Sequence, residues 1–156
     1  MVMQITQAVS FITGVSMMNS KKPILLVEDD KVDAMTVKRS LRDIHVTNRL
    51  LLAGNGEDAL QYLREPNIDR PCIILLDLNM PKMNGLEFLQ VLKQDAILKK
   101  IPVIVLTTSK NEQDKLESFR LGVAGYMIKP VDYQQFVEVV RTINLYWTLS
   151  EMPDED

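Results

Sequence analysis

Several groups able to do phosphate chemistry stand at the ends of short apolar runs. Glu28, Asp29 and Asp30 follow Ile24-Leu25-Leu26-Val27, Asp77 follows Ile73-Ile74-Leu75-Leu76, Thr107 and Thr108 follow Val103-Ile104-Val105-Leu106, and Lys129 follows Gly125-Tyr126-Met127-Ile128. Carboxylates brought together repel one another unless a cation joins them, and hard oxygen ligands of this kind suit Mg²⁺, which keeps waters and shares its shell with phosphate oxygens. A carboxylate can also attack phosphorus to give an aspartyl phosphate. A lysine and a metal beside it would neutralise the transferring phosphoryl group, and a threonine hydroxyl could hydrogen-bond the product. Singly, each residue has an ordinary role: an acid there can cap a helix, Asp77 can start a loop, the threonines suit a strand, and a lysine before proline suits a loop. Four run ends carrying complementary groups together favour a phosphoryl-acceptor site.

The elements that would position these groups are legible as two alternating kinds of segment. The apolar runs, with Leu50-Leu51-Leu52-Ala53 as the second of five, do not alternate apolar with polar, the pattern of strands buried on both faces in a parallel sheet. Between them lie helically periodic segments: Ala34, Val37, Leu41 and Ile44; Ala59, Leu60 and Leu63 after the Gly54-Asn55-Gly56 turn signal; Leu86, Leu89 and Leu92 after Gly85; Leu116 and Phe119 after Asn111, a suitable N-cap; and Phe136, Val139, Val140 and Ile143 in a helix beginning near Asp132. Five strand–helix units predict an α/β fold, a doubly wound five-stranded parallel sheet with helices on both faces. In such sheets the ligand site lies beyond the carboxyl ends of the strands, where the acids, the hydroxyls and the lysine all fall.

Length and composition bound the remainder. The 156 residues are 46% hydrophobic and 25% charged, as expected of one globular domain. A lone cysteine, Cys72, leaves no internal disulfide and no thiolate metal cluster. The net charge of -3 gives no electrostatic case for nucleic acid; without Glu151, Asp154, Glu155 and Asp156 the chain has 17 acids against 18 bases, so the acidity belongs to the tail. Residues 1–20 carry no charge and no apolar run long enough for a membrane span or a signal peptide. Residues 1–22 are therefore expected to be a disordered extension, or to include an upstream start with Met17 or Met18 as the true one, and 150–156 a disordered acidic tail.

From Pro23 to Leu149 the chain resembles the receiver domain of two-component response regulators. The resemblance rests on Ile24-Leu25-Leu26-Val27-Glu28-Asp29-Asp30, on Asp77-Leu78-Asn79-Met80-Pro81 with Asn84-Gly85, on Pro102 through Thr107, and on Lys129-Pro130. It implies a flavodoxin-like (βα)5 fold with strand order 2-1-3-4-5. It further implies Asp77 as phosphoacceptor, Glu28 and Asp29 with Asp77 and the Asn79 carbonyl as Mg²⁺ ligands, Thr107 as switch hydroxyl, Lys129 as the phosphate-contacting cation, Tyr126 as the aromatic switch and a cis Lys129-Pro130 bond. Glu28 stands where many members have Asp, and Thr108 where Ala is frequent; a larger residue at 108 could slow water's access to the phosphate.

The implied chemistry is self-directed, not that of an enzyme with a separate substrate. The implied partner is a sensor histidine kinase, of phytochrome type if the Val-Glu-Asp-Asp start and the Tyr146-Trp147 helix are followed, in the cytoplasm and without nucleic acid or membrane. Phe136, Val140, Ile143 and Trp147 form a stripe on the last helix, beside Val139, Leu145, Tyr146 and Leu149. It suits either packing on the chain's own sheet or a homodimer through helix four, strand five and helix five, the second being slightly favoured. His45 is expected to be exposed at a helix end. An Asp-nucleophile phosphatase is disfavoured because Asn79 stands where its general acid would be. A nucleotide switch lacks its GxxxxGK[ST] loop. An interaction module that no longer takes phosphate would be expected to have lost Asp77, Lys129 or the acidic pair, all of which are present. At this length no output domain is expected, so the signal would leave through protein contact.

Overall fold

The computed structural model describes residues 22–149, with side chains through Thr148. The expectations for the two ends therefore lie, apart from Lys22, outside the described residues. Five strands, β1 (Ile24–Val27), β2 (Leu50–Ala53), β3 (Ile73–Leu76), β4 (Val103–Thr107) and β5 (Gly125–Ile128), form one parallel sheet in the order β2-β1-β3-β4-β5. Helices α1 (Lys31–Asp43), α2 (Gly56–Arg64), α3 (Gly85–Gln94), α4 (Glu112–Arg120) and α5 (Tyr133–Leu149) connect or follow them, with a 3₁₀ turn at Leu98–Lys100. This is the expected doubly wound fold.

Strand alternation sorts the core into two halves, because successive side chains point to opposite faces. Leu25, Val27, Ile74, Leu76, Val103 and Val105 meet α2 and α3 through Ala59, Leu60, Leu63, Phe88, Leu89 and Leu92. Ile24, Leu26, Ile73, Leu75, Ile104 and Leu106 meet α1 and α5 through Val37, Leu41, Phe136, Val140, Ile143 and Trp147. The last-helix stripe thus packs on its own sheet: Trp147 is 1% exposed. Tyr133 donates from its hydroxyl to Asp43 Oδ2 at 2.6 Å while Arg39 lies over its ring, tying α5 to α1.

Two readings change with the strand order. β2 was expected to be buried on both faces, but it is an edge strand and Leu52 is exposed. On α4, Leu116 and Phe119 share a face that turns outward, and the buried residue is Ser118. The helix starts follow local chemistry: Asn111 caps α4 as expected, and Asn55 and Asn84 also accept backbone N–H bonds at the N-termini of α2 and α3, Asn84 in a reciprocal capping box with Glu87. Asp132 does the same for α5, accepting from the Gln135 N–H. His45 is exposed just after α1 in a left-handed conformation (φ 63°).

Candidate functional site

The carboxyl edge of the sheet gathers the chemistry because each strand delivers its last side chain there. Glu28 follows β1 and is fixed by its N–H to the Ala53 carbonyl; Asp77 follows β3 and donates its N–H to the Val27 carbonyl. Both are buried, whereas Asp29 is exposed. One carboxylate oxygen from each of Glu28, Asp29 and Asp77 lies within 4.8 Å of the others. Asp30 does not join them: it caps α1, accepting from the Asp33 N–H.

Lys129 enters from the end of β5, where its N–H donates to the Thr107 carbonyl. Its ammonium donates to Glu28 and, at 2.9 Å, to Asp33 Oδ2; Asp77 Oδ1 is 3.7 Å away. That Asp77 oxygen is buried and has no hydrogen-bond partner. Loss of solvation on burial pushes the Glu28 carboxyl up to about 7; the hydrogen bond from Lys129 pulls it down, and the charge of Asp77 adds to the rise. Burial alone would lower Lys129, but the bonds to Glu28 and Asp33 and the charge of Asp77 outweigh it and hold the ammonium above the ordinary lysine value. Acids outnumber the buried cation, the imbalance a divalent ion corrects.

Thr107 is fully buried at the end of β4, and its Oγ1 accepts from the Ser109 N–H at 3.3 Å. The Tyr126 hydroxyl donates to the Ser109 carbonyl at 2.9 Å. Burial holds that phenol above its usual value, against the pull of the Ser109 bond. Ser109 therefore ties the two expected switch residues together, and its own hydroxyl donates to Asp114 at the start of α4. Thr108 is exposed, as is Asn79, which lies between buried Leu78 and Met80. Among the described residues no peptide bond is cis. The Lys129-Pro130 bond is thus trans, correcting the expectation; proline leaves the two isomers within about 1 kcal/mol, so surroundings decide between them.

Sequence reasoning missed Asp33 and Ser109. Asp33 was visible only as an acid in a first helical turn, and Ser109 only as a polar residue two places after Thr107.

A doubly wound parallel sheet with a cluster of acids and one lysine at its carboxyl edge defines a class of α/β modules, and comparison with known proteins narrows the class. Residues 24–141 match the family model described as the response regulator receiver domain, and the chain belongs to that family. It is 40% identical over 133 residues to the response regulator Rcp1 of Synechocystis sp., covering 83% of this chain and 90% of that protein. It is 33% identical to the chemotaxis protein CheY of Pseudomonas aeruginosa, over 77% of this chain and 94% of that one. Among solved structures, the phosphorylated cyanobacterial phytochrome response regulator RcpA superposes with a TM-score of 0.81 at 38% identity, covering 86% of this chain and all of that one. The Mn²⁺-bound form of Rcp1 gives 0.78 at 38% identity, over 85% and 99% of the two chains.

Proposed function

We propose that this chain is a response regulator that takes a phosphoryl group onto Asp77 from a histidine kinase, with Mg²⁺, and signals by protein contact. The observation that carries the reading is the buried Asp77 carboxylate: one of its oxygens lies within 4.8 Å of oxygens of Glu28 and Asp29, and its Oδ1, without a hydrogen-bond partner, is 3.7 Å from the Lys129 ammonium. In the step, a carboxylate oxygen of Asp77 forms a bond to phosphorus as the bond from phosphorus to the donor breaks. The bonding pair leaves with the donor, as histidine imidazole from a kinase or as acetate from acetyl phosphate. The Glu28, Asp29 and Asp77 carboxylates fit a small divalent cation, with the Asn79 carbonyl as a further ligand. When bound, Mg²⁺ supplies charge neutralisation for the phosphoryl oxygens. Lys129 neutralises a second side of the group.

Phosphorylation adds roughly -1.5 to -2 charges and three strong acceptor oxygens at this edge. Thr107 then turns its hydroxyl toward the phosphate, and the Ser109 link carries the change to Tyr126 and α4, shifting the population between two packings. The working unit is residues 23–149, in the cytoplasm. A phytochrome-type kinase is the favoured donor, supported by the similarity to Rcp1 and RcpA. Leu116 and Phe119, exposed on α4, support a contact face there that takes a second copy of the chain; concentration-dependent light scattering, with and without phosphorylation, tests it.

The test of the acceptor role is labelling by a small phosphodonor with Mg²⁺. Asp77→Asn should stay folded and take up no label. A label that persists on an aspartate in this variant overturns the assignment.

A further inference from the structure

We infer that Asp33 is a positioning residue: it holds the Lys129 ammonium at ion-pair distance from the acceptor carboxylate but beyond hydrogen-bonding reach, so that the lone pairs of Asp77 Oδ1 stay free to attack. The inference rests on the phosphoacceptor reading of Asp77 and adds to it a residue from outside the acidic trio.

The argument starts from the three protons of a lysine ammonium. One goes to Glu28 and one to Asp33 Oδ2 at 2.9 Å. The third side faces Asp77 Oδ1 at 3.7 Å, beyond hydrogen-bonding distance. Left to electrostatics, a buried ammonium beside a buried carboxylate would close that gap, since each is costly to keep unpaired. The hydrogen bonds to Glu28 and Asp33 hold it from closing. Glu28 alone is a poor restraint, because its carboxylate also belongs to the trio that fits a divalent cation. Asp33 is outside the trio, and its carboxylate can stay on Lys129 while Glu28 is engaged elsewhere. Its place in the first turn of α1, behind the cap made by Asp30, sets its side chain toward the site from a rigid helix.

The result is a slot between ammonium and nucleophile. Asp77 Oδ1 keeps its lone pairs for phosphorus, and Lys129 stands ready for a phosphoryl oxygen. Without Asp33, Lys129 can close on Asp77 from ion-pair distance to a direct hydrogen bond that must be broken before attack. Asp33 touches neither phosphorus nor Asp77, so it acts through Lys129.

The experiment uses the full chain with acetyl phosphate and Mg²⁺, comparing wild type, Asp33→Asn and Asp33→Glu. Asp33→Ser serves as a second neutral variant should the asparagine protein not fold. The wild type labels at Asp77. Either neutral variant should label about three- to tenfold more slowly at saturating donor, in proportion to losing one half-exposed charged hydrogen bond. The donor concentration at half-saturation should be unchanged, and Asp33→Glu should recover most of the rate. A crystal structure of the neutral variant should place Lys129 Nζ at about 3 Å from Asp77 Oδ1. A neutral variant that labels at the wild-type rate or faster, or in which Lys129 keeps its distance from Asp77, overturns the inference. A wild-type chain that takes no label at all overturns instead the acceptor reading on which it rests.

Discussion

Gly85 is where the packing of the loop after Asp77 can be tested most sharply. A Cβ built there would lie 2.6 Å from the Asp77 carbonyl oxygen, 2.7 Å from Leu78 Cα and 2.8 Å from Leu78 Cδ2. The first two are backbone atoms, so Gly85→Ala cannot be relieved by turning a side chain. The loop must retreat by about 1 Å to reach ordinary contact, losing the bond from the Gly85 N–H to the Leu78 carbonyl. Overpacking of this kind costs roughly 1–3 kcal/mol, and alanine at this first helical position returns less than the roughly 0.5–1 kcal/mol of a mid-helix site. The net loss is about 1–2 kcal/mol, read as a lower urea midpoint at unchanged slope. Because the displaced backbone is that of Asp77, labelling should fall by up to about a hundredfold, the loss a 1 Å misplacement at a reacting centre can cause. Gly54→Ala is the control, since nothing lies within 4 Å of its Cβ; it should change stability by less than about 0.5 kcal/mol. A Gly85→Ala protein as stable as wild type and labelled at the wild-type rate would refute the reasoning.

Three further outcomes follow from the site and core. With Glu28 raised to about 7, the metal-free folded chain keeps a proton that the unfolded chain releases near its ordinary value of 4.5. Stability should therefore fall, by about 3 kcal/mol in all, as pH rises through that window. Lys129 is charged in both states there and adds no slope, so Glu28→Gln should flatten the profile in urea titrations with chelator; an unaltered slope counts against the assignment. Tyr126→Phe removes the bond to the Ser109 carbonyl while keeping the ring, for a loss of about 1 kcal/mol by urea unfolding, with Asp77 still labelled. Trp147→Ala should cost about 3–5 kcal/mol by the same measurement. Trp147→Phe should cost clearly less, because the buried indole N–H has no partner to lose.

Much of this was legible in the chain because the apolar runs are continuous. Ile24 to Val27 and Ile73 to Leu76 can be little but interior strands, and the acid after each then has one place to go. Glu28, Asp29 and Asp77 were found that way, as were Thr107 and Lys129. What stayed hidden depends on reach between distant segments. Asp33 meets Lys129 across 96 positions, and no spacing within α1 announces it. Leu116 and Phe119 share a helical face, but periodicity states only that a face exists, and the neighbouring elements turned this one outward. Trp147 was ambiguous for the same reason and fell the other way. The isomer of the Lys129-Pro130 bond lies below what local sequence can decide.

The burial pattern of α4 bears on where this molecule can yield. Helices α2 and α3 each set four residues into the interior, whereas α4 sets only Ser118, whose hydroxyl bonds back to the Asp114 carbonyl of its own helix. Its attachment is therefore the weakest of the five, and its amides should exchange with solvent water through small openings long before those of β1 or β3. A charge placed at Asp77, as proposed, would not have to deform a stiff sheet. It would have only to tip a helix whose seating is worth little, so a local event of a few kcal/mol would be enough to reshape that surface.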